Sequence, residues 1–353
     1  MQYSLSFFDG RALGGWVQAL FAAMDIFPRR LYTGGMNIPN EAAVHKVLSQ
    51  WKTDRGAGHS VRRFSTGNQH YVYDVLLQGG CRAVVRLSAP EQRNVARAAA
   101  YWNEQLRKLG LPLPEILWSD LEGTFPCLIL QRLPGRDLGA EIHAMSQAQR
   151  DKLAWQLMDC QKIVGSLPMS RRYGYAREPE LAPHESWMDF LLAELRRASG
   201  AGTNWNARLE HAIRSQAGEL EAVQPRAFLH DITTKNVIVE HGSLSGIVDV
   251  DDLCYGDPLW HIALTRMGLL SIDAGDLGYV ESLLEHGGWE AGFHTLDLYT
   301  ALMALEFISE LTRDSNGNPM DRSAALVAGR DPGGIAAKAR SQGLKDSNPT
   351  LRK

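Results

Sequence analysis

Two carboxylates and an amide stand close together in one part of this chain: Leu229-His230-Asp231-Ile232-Thr233-Thr234-Lys235-Asn236-Val237-Ile238-Val239, followed by Gly246-Ile247-Val248-Asp249-Val250. Asp231 precedes Asn236 by five residues, and an apolar run, a short turn and a second apolar run carry the chain to Asp249. The chemistry these residue types suit is phosphoryl transfer, which needs alignment of the acceptor and positive charge on phosphate oxygens more than covalent help. Asp231 suits a general base: a free alcohol is a poor nucleophile at neutral pH, and a carboxylate beside it takes the proton late. Asn236 offers an uncharged oxygen and Asp249 a charged one to Mg²⁺, a hard cation that prefers oxygen ligands. Taken alone, the same three residues more often describe a capped loop and an ordinary strand-end aspartate. The strand pair around them and Tyr255-Gly256-Asp257-Pro258 beyond them give the spacing its context.

Positioning such a site takes a scaffold, and the pattern along the chain supplies one. Tyr71-Val72-Tyr73-Asp74-Val75-Leu76-Leu77 and Cys81-Arg82-Ala83-Val84-Val85-Arg86-Leu87 are rich in β-branched and aromatic residues around the turn Gln78-Gly79-Gly80, which predicts an antiparallel hairpin. A helix follows, with Ser88 as N-cap, Pro90 in the first turn, Glu91 at capping-box spacing, and Val95, Ala99, Trp102 and Leu106 as its buried stripe. Two further strands are expected around Ile116-Leu117-Trp118 and Leu128-Ile129-Leu130. From Gly135 onward the chain reads as helical over 146 to 164, 186 to 199 and 205 to 223. The strand pair 236–240 and 245–250 interrupts this region, and Asp257-Pro258 opens another helix with Asp as N-cap. Helices are also expected over 278–285 and 296–312. Trp155, Met158, Trp187 and Met188 are expected in the core. Upstream, Asn40 caps a helix carrying Ala43, Val47, Leu48 and Trp51 at helical spacing, in a segment expected to pack on the domain that follows.

The bulk properties exclude several function classes. With 37 basic against 40 acidic residues and a net charge of −3, the chain shows no field that would draw nucleic acid. Cys81, Cys127, Cys160 and Cys254 form no C-x-x-C pair, which argues against a zinc site or a disulfide framework and fits a reducing compartment. No long uncharged apolar run is present, so no membrane partner is expected, and a first stretch without a signal-peptide pattern leads to a cytoplasmic expectation. Monomer and homodimer are not distinguished.

Asp231, Asn236 and Asp249, with Gly256-Asp257-Pro258, resemble the aminoglycoside phosphotransferase-like (phosphotransferase enzyme) family, whose motif is H-G-D-x-x-x-x-N followed by an I-D-W/F segment and G-D-P. The resemblance is sharp over 225–265 and weaker over 62–138. It implies an α+β, bilobal protein-kinase-like fold, with a small antiparallel-sheet N-lobe, a larger helical C-lobe and an N-terminal helical extension. The expected division is 1–60 for the extension, 61–133 for the N-lobe, 134–313 for the C-lobe and 314–353 for a loosely structured tail.

The resemblance also implies roles. Asp231 is the catalytic base, and Asn236 and Asp249 hold Mg²⁺ on ATP (or GTP). Arg86 takes the place of the strand lysine on the phosphates, the alternative being a charge on the solvent face of a strand. Thr66, Gly67 and Asn68 turn over the phosphates, and Gln131 and Leu133 flank the hinge whose backbone reads the base. Three departures stand out. Leu229-His230 occupies the place of His-Gly, His261 stands where the family often has Asp, and no helix glutamate is evident to pair with Arg86. Asp251 and Asp252 read as solvated or loop-bracing. His230 has three open roles: a substitute brace, a substrate contact or a packed residue.

The expectation is therefore an ATP/Mg²⁺-dependent kinase acting on a hydroxyl of a small molecule. Its alternative is a catalytically weak or inactive nucleotide-binding regulatory protein on the same fold. A third reading takes His230-Asp231 as the H-D pair of a metal-dependent phosphohydrolase, but that chemistry sets the pair within a helix, and here it precedes a strand hairpin. Arginines 171, 172, 177, 196, 197, 208 and 214, mixed with acidic residues in the expected acceptor region, do not single out a polycationic acceptor.

Overall fold

The computed structural model describes residues 39–51, 58–64, 70–178, 181–198, 205–270, 277–289 and 293–311. Five strands, β1 (Gly58–Arg63), β2 (Tyr71–Leu77), β3 (Arg82–Leu87), β4 (Ile116–Asp120) and β5 (Cys127–Gln131), form one antiparallel sheet in the order β1-β2-β3-β5-β4. The predicted hairpin pairs Val75 with Ala83 and Tyr73 with Val85, so one face carries Tyr73, Val75, Ala83 and Val85, all buried. Helix α1 (Glu41–Gln50) covers that face. Asn40 caps it through a bond from the Ala43 amide, and Val44, Val47, Leu48 and Trp51 join the sheet residues in one core.

Helix α2 (Arg93–Lys108) follows a short 3-10 turn, Pro90–Gln92, and here the expected capping box does not form. The Ser88 hydroxyl is instead engaged by His70 at 3.1 Å, and Glu91 is exposed. Ala99, Trp102 and Leu106 are buried as the stripe requires, whereas Val95 is half-buried.

The second lobe is helical. Its long elements are α3 (Gln147–Gly165), α4 (Trp187–Arg197), α5 (Trp205–Ser215), α6 (Leu259–Leu270), α7 (Leu277–Gly287) and α8 (Phe293–Leu311). Ser146 caps α3 with a full capping box to Gln149, and Ser186 caps α4. The helix expected over 205 to 223 breaks at Gln216 into α5 and the short Ala217–Glu221. Met158 and Trp187 lie in the core and Met188 packs at its edge, but Trp155 is 51 % exposed on the outer side of α3. Trp187 stacks on Phe190, and its indole N–H donates to the Tyr299 hydroxyl at 2.6 Å.

Two three-stranded sheets complete this lobe. One orders β10 (Ser243–Ile247), β9 (Val237–Glu240) and β6 (Arg136–Asp137); the other orders β7 (Gly174–Ala176), β11 (Leu253–Gly256) and β8 (Arg226–Phe228). The lobes meet where Pro112, in the α2–β4 connection, accepts a bond from the Ile247 amide at 2.9 Å. Gly246 admits this approach, since a Cβ there would stand 2.4 Å from the Pro112 carbonyl oxygen. Among the described residues no helix is long and apolar enough to cross a membrane.

Candidate active site

The loop that carries Asp231 runs from β8 to β9. Leu229 and Ile232 are buried and tether it, with Asp231 between them. The loop closes as a tight turn in which the amides of Asn236 and Val237 both donate to the Thr233 carbonyl, at 3.0 and 3.2 Å. Asn236 then donates its side-chain NH₂ to the Asp231 carbonyl at 3.0 Å, a bond that does not use its amide oxygen. The Val248 amide donates to the Asn236 carbonyl at 2.9 Å, so the residue just before Asp249 is pinned to the loop. Asp249 itself has φ +64°, a left-handed conformation unusual for a residue with a Cβ and found where the surrounding structure fixes a functional geometry. Asp231, Asn236 and Asp249 are thus brought to one end of the β9–β10 hairpin.

The support of this loop was the part the sequence left open. In place of a histidine before the aspartate, Gln161 on α3 grips Leu229 from both sides. Its NH₂ donates to the Leu229 carbonyl at 2.7 Å, and its oxygen accepts from the Leu229 amide at 2.9 Å. His230 packs its ring against Tyr175, centroids 4.6 Å apart, and its Nδ1 faces an Asp252 oxygen at 3.4 Å. The pair His230-Asp231 lies in a loop, outside any helix. His261 is buried beneath, with Nδ1 on the Pro258 carbonyl, and burial lowers its pKa to about 4. Asp257 caps α6, accepting from the Leu259 amide at 2.9 Å, and its other oxygen accepts from the Tyr299 hydroxyl at 3.0 Å.

Electrostatics follow from this packing. Burial pushes the Asp231 carboxyl up to about 6; the positive side of His230 and a bond from Thr233 pull the other way, and Asp249 and Asp251 add to the rise. Burial also raises Asp252.

Arg86 lies on β3 only 6 % exposed, so a solvent-facing charge is ruled out. Its guanidinium donates to Asp251 at 2.5 Å and stands 3.4 Å from Asp249. Asp251 is a brace and not a solvated residue: its second oxygen meets His70 Nε2 at 2.8 Å. Ligand atoms of His70, Asp249 and Asp251 lie within 4.8 Å of one another, and the cation beside these two carboxylates is Arg86.

At the hinge, the Gln131 amide donates to the Glu115 carbonyl at 2.8 Å, and its side-chain oxygen faces the Glu115 amide at 3.3 Å. The Gln131 N–H is therefore committed to the Glu115 carbonyl. Leu133 is buried at the seam against Gly246. Thr66, Gly67 and Asn68 lie outside the described residues. Lys235 is exposed. Two residues the sequence did not single out, Gln161 and His70, belong to the site's support. Both lie far along the chain from the groups they hold and carry no local motif.

A small antiparallel sheet above a helical lobe, with this loop between two strands facing the sheet's buried arginine, defines a kinase-like phosphotransferase architecture. The comparisons with known proteins agree. Residues 60–299 match the model of the phosphotransferase enzyme family, and the chain belongs to that family. Among solved structures, a thermostable mutant of aminoglycoside phosphotransferase APH(4)-Ia in its apo form aligns with TM-score 0.57 and 15 % identity, covering 85 % of this chain and 96 % of that one. The GDP and kanamycin complex of APH(2")-IIia aligns with TM-score 0.59 and 15 % identity, covering 85 % and 99 %. The streptomycin–ATP complex of APH(2")-IIa aligns with TM-score 0.53 and 15 % identity, covering 79 % and 99 %. At such identity the likeness speaks for the fold. No curated protein matches the chain.

Proposed function

We propose that this chain is an ATP- and Mg²⁺-dependent small-molecule kinase that transfers a γ-phosphoryl group to a substrate hydroxyl. The observation that carries this reading is the Asp231–Asn236 turn. Asn236 spends its NH₂ on the Asp231 backbone and keeps its oxygen, while the Val248 bond fixes Asp249 beside it. One neutral oxygen and one carboxylate so placed fit a hard divalent cation, and Mg²⁺ bound there would neutralise phosphate charge. Asp231 accepts the acceptor hydroxyl's hydrogen bond and takes its proton; a carboxyl raised to about 6 is a better base than an exposed one and is still ionised at neutral pH. Arg86 binds phosphate oxygens with a guanidinium held in place by Asp251. The Gln131 carbonyl and the Leu133 amide read the base, and the segment with Thr66, Gly67 and Asn68 covers the phosphates.

The alternative, an inactive nucleotide-binding member, drew on Leu229 and on the lack of a helix glutamate. Gln161 and Asp251 supply the bonds those substitutions would otherwise remove. Aminoglycosides, named in the similar structures, stay one acceptor class among several, because in the expected acceptor region arginines and acidic residues are interspersed and three of the arginines pair with glutamates. Arg172 pairs with Glu185 at 2.9 Å, Arg214 with Glu210 at 2.7 Å, and Arg197 with Glu194 and Glu306.

Isothermal titration with ATP tests the metal half of the site. Mg²⁺ should tighten ATP binding to the wild type, and Asp249→Ala should lose about 10- to 100-fold of that gain while metal-free binding persists. An equal Mg²⁺ gain in both proteins would reject the assignment.

A further inference from the structure

An arginine buried among apolar strand residues needs fixed anions around it, because its own charge is costly to desolvate. Helix α2 provides none for Arg86: Glu104 on it is exposed, and so is Glu91 before it. The anion comes from the metal loop instead. Asp251 Oδ1 accepts from Arg86 at 2.5 Å, and Asp251 Oδ2 meets His70 Nε2 at 2.8 Å. His70 Nδ1 in turn meets the Ser88 hydroxyl at 3.1 Å, and Ser88 directly follows the strand that bears Arg86. Ser88, His70, Asp251 and Arg86 therefore close a ring between the sheet and the segment carrying Asp249. His70 is 5 % exposed and Ser88 1 %. The ring thus holds the Arg86 guanidinium through Asp251 on one side, with Asp249 3.4 Å from it.

We propose that Asp251, backed by His70, is the positioning residue that presents Arg86 to the phosphates of a bound nucleotide, the task that the family resemblance would give to a helix glutamate. The inference rests on the phosphotransferase reading. It adds that the phosphate clamp and the metal ligand hang on one three-residue segment, Asp249 to Asp251, so the sheet and the metal loop must be in register for nucleotide to bind.

The test compares the affinity of ADP with that of adenosine, which carries no phosphate, in wild type, Asp251→Asn, Arg86→Ala and the double variant. Asp251→Asn should weaken ADP by about tenfold or more. Adenosine should change little, and the double variant should bind ADP no more weakly than Arg86→Ala alone. ADP affinity at the wild-type level in Asp251→Asn, equal losses for ADP and adenosine, or additive losses in the double variant would overturn the proposal. If Asp251→Asn does not fold, His70→Asn gives the same comparison with the Asp251 charge retained: a selective loss for ADP supports the ring, and an unchanged ADP affinity refutes it. A wild type that binds ADP no better than adenosine would remove the phosphate site itself, a separate failure visible before any variant is made.

Discussion

Asp231 carries its charge at a cost. Its pKa stands near 6 in the folded chain against 3.8 when exposed, so the folded state binds more protons between those values and stability falls as pH rises through that window. Removing the charge should therefore help the fold where the carboxylate is ionised. Asp231→Asn is expected to raise stability at neutral pH by on the order of 1–2 kcal/mol, with the gain shrinking towards zero below about pH 4. Thermal melts of both proteins across pH check this, and a variant less stable than wild type at neutral pH would contradict it. At this scale the sequence was informative where residues lie near each other in the chain. The Asp231–Asn236 spacing and the apolar run to Asp249 placed all three in one loop and hairpin. Asp251 was readable only as a brace or a solvated residue, because its partners Arg86 and His70 come from a distant sheet whose position no local spacing encodes.

Among elements, the Asp231 loop depends on α3. Gln161 satisfies both the amide and the carbonyl of Leu229, and all of these groups are buried. Gln161→Leu keeps the bulk but strands two backbone groups without partners, each a loss of about 1–3 kcal/mol. We expect urea unfolding to show about 2–4 kcal/mol lost, with turnover falling further than nucleotide affinity as the loop loosens; a variant as stable as wild type would refute the brace. The hairpin and the Asp257 cap were legible because their signals are local and their partners lie within a few residues. The box expected at Ser88 failed for the opposite reason: its hydroxyl is claimed by His70, 18 residues away. The hold of Gln161 on Leu229, 68 residues off, had no local trace for the same reason.

For the whole molecule, the two lobes are joined at several places: Trp102 and Leu106 of α2 pack into the large core, Arg86 and His70 reach Asp251, and one seam is tight. The Ile247 amide reaches Pro112, and Gly246 clears the space for it, with Leu133 Cδ1 only 2.7 Å from where a Cβ would lie. Gly246→Ala drives a methyl group into a backbone carbonyl and should cost about 1–3 kcal/mol, measurable by urea unfolding; wild-type stability would mean the seam can shift. The order of strand-rich then helical segments was legible from local patterning, and the family resemblance implied the two lobes, whereas the seam was not legible, since it joins a proline-rich connection to a hairpin far along the chain. The proposed function requires Asp231 to act as base in a nucleotide-dependent transfer. The most direct measurement is ADP release from ATP and Mg²⁺ across a panel of hydroxyl acceptors, run with wild type and Asp231→Ala. An acceptor should raise ADP release in wild type, and Asp231→Ala should lose about 10²- to 10⁴-fold of that rate while still binding ATP. Acceptor-stimulated release that survives in Asp231→Ala would contradict the account.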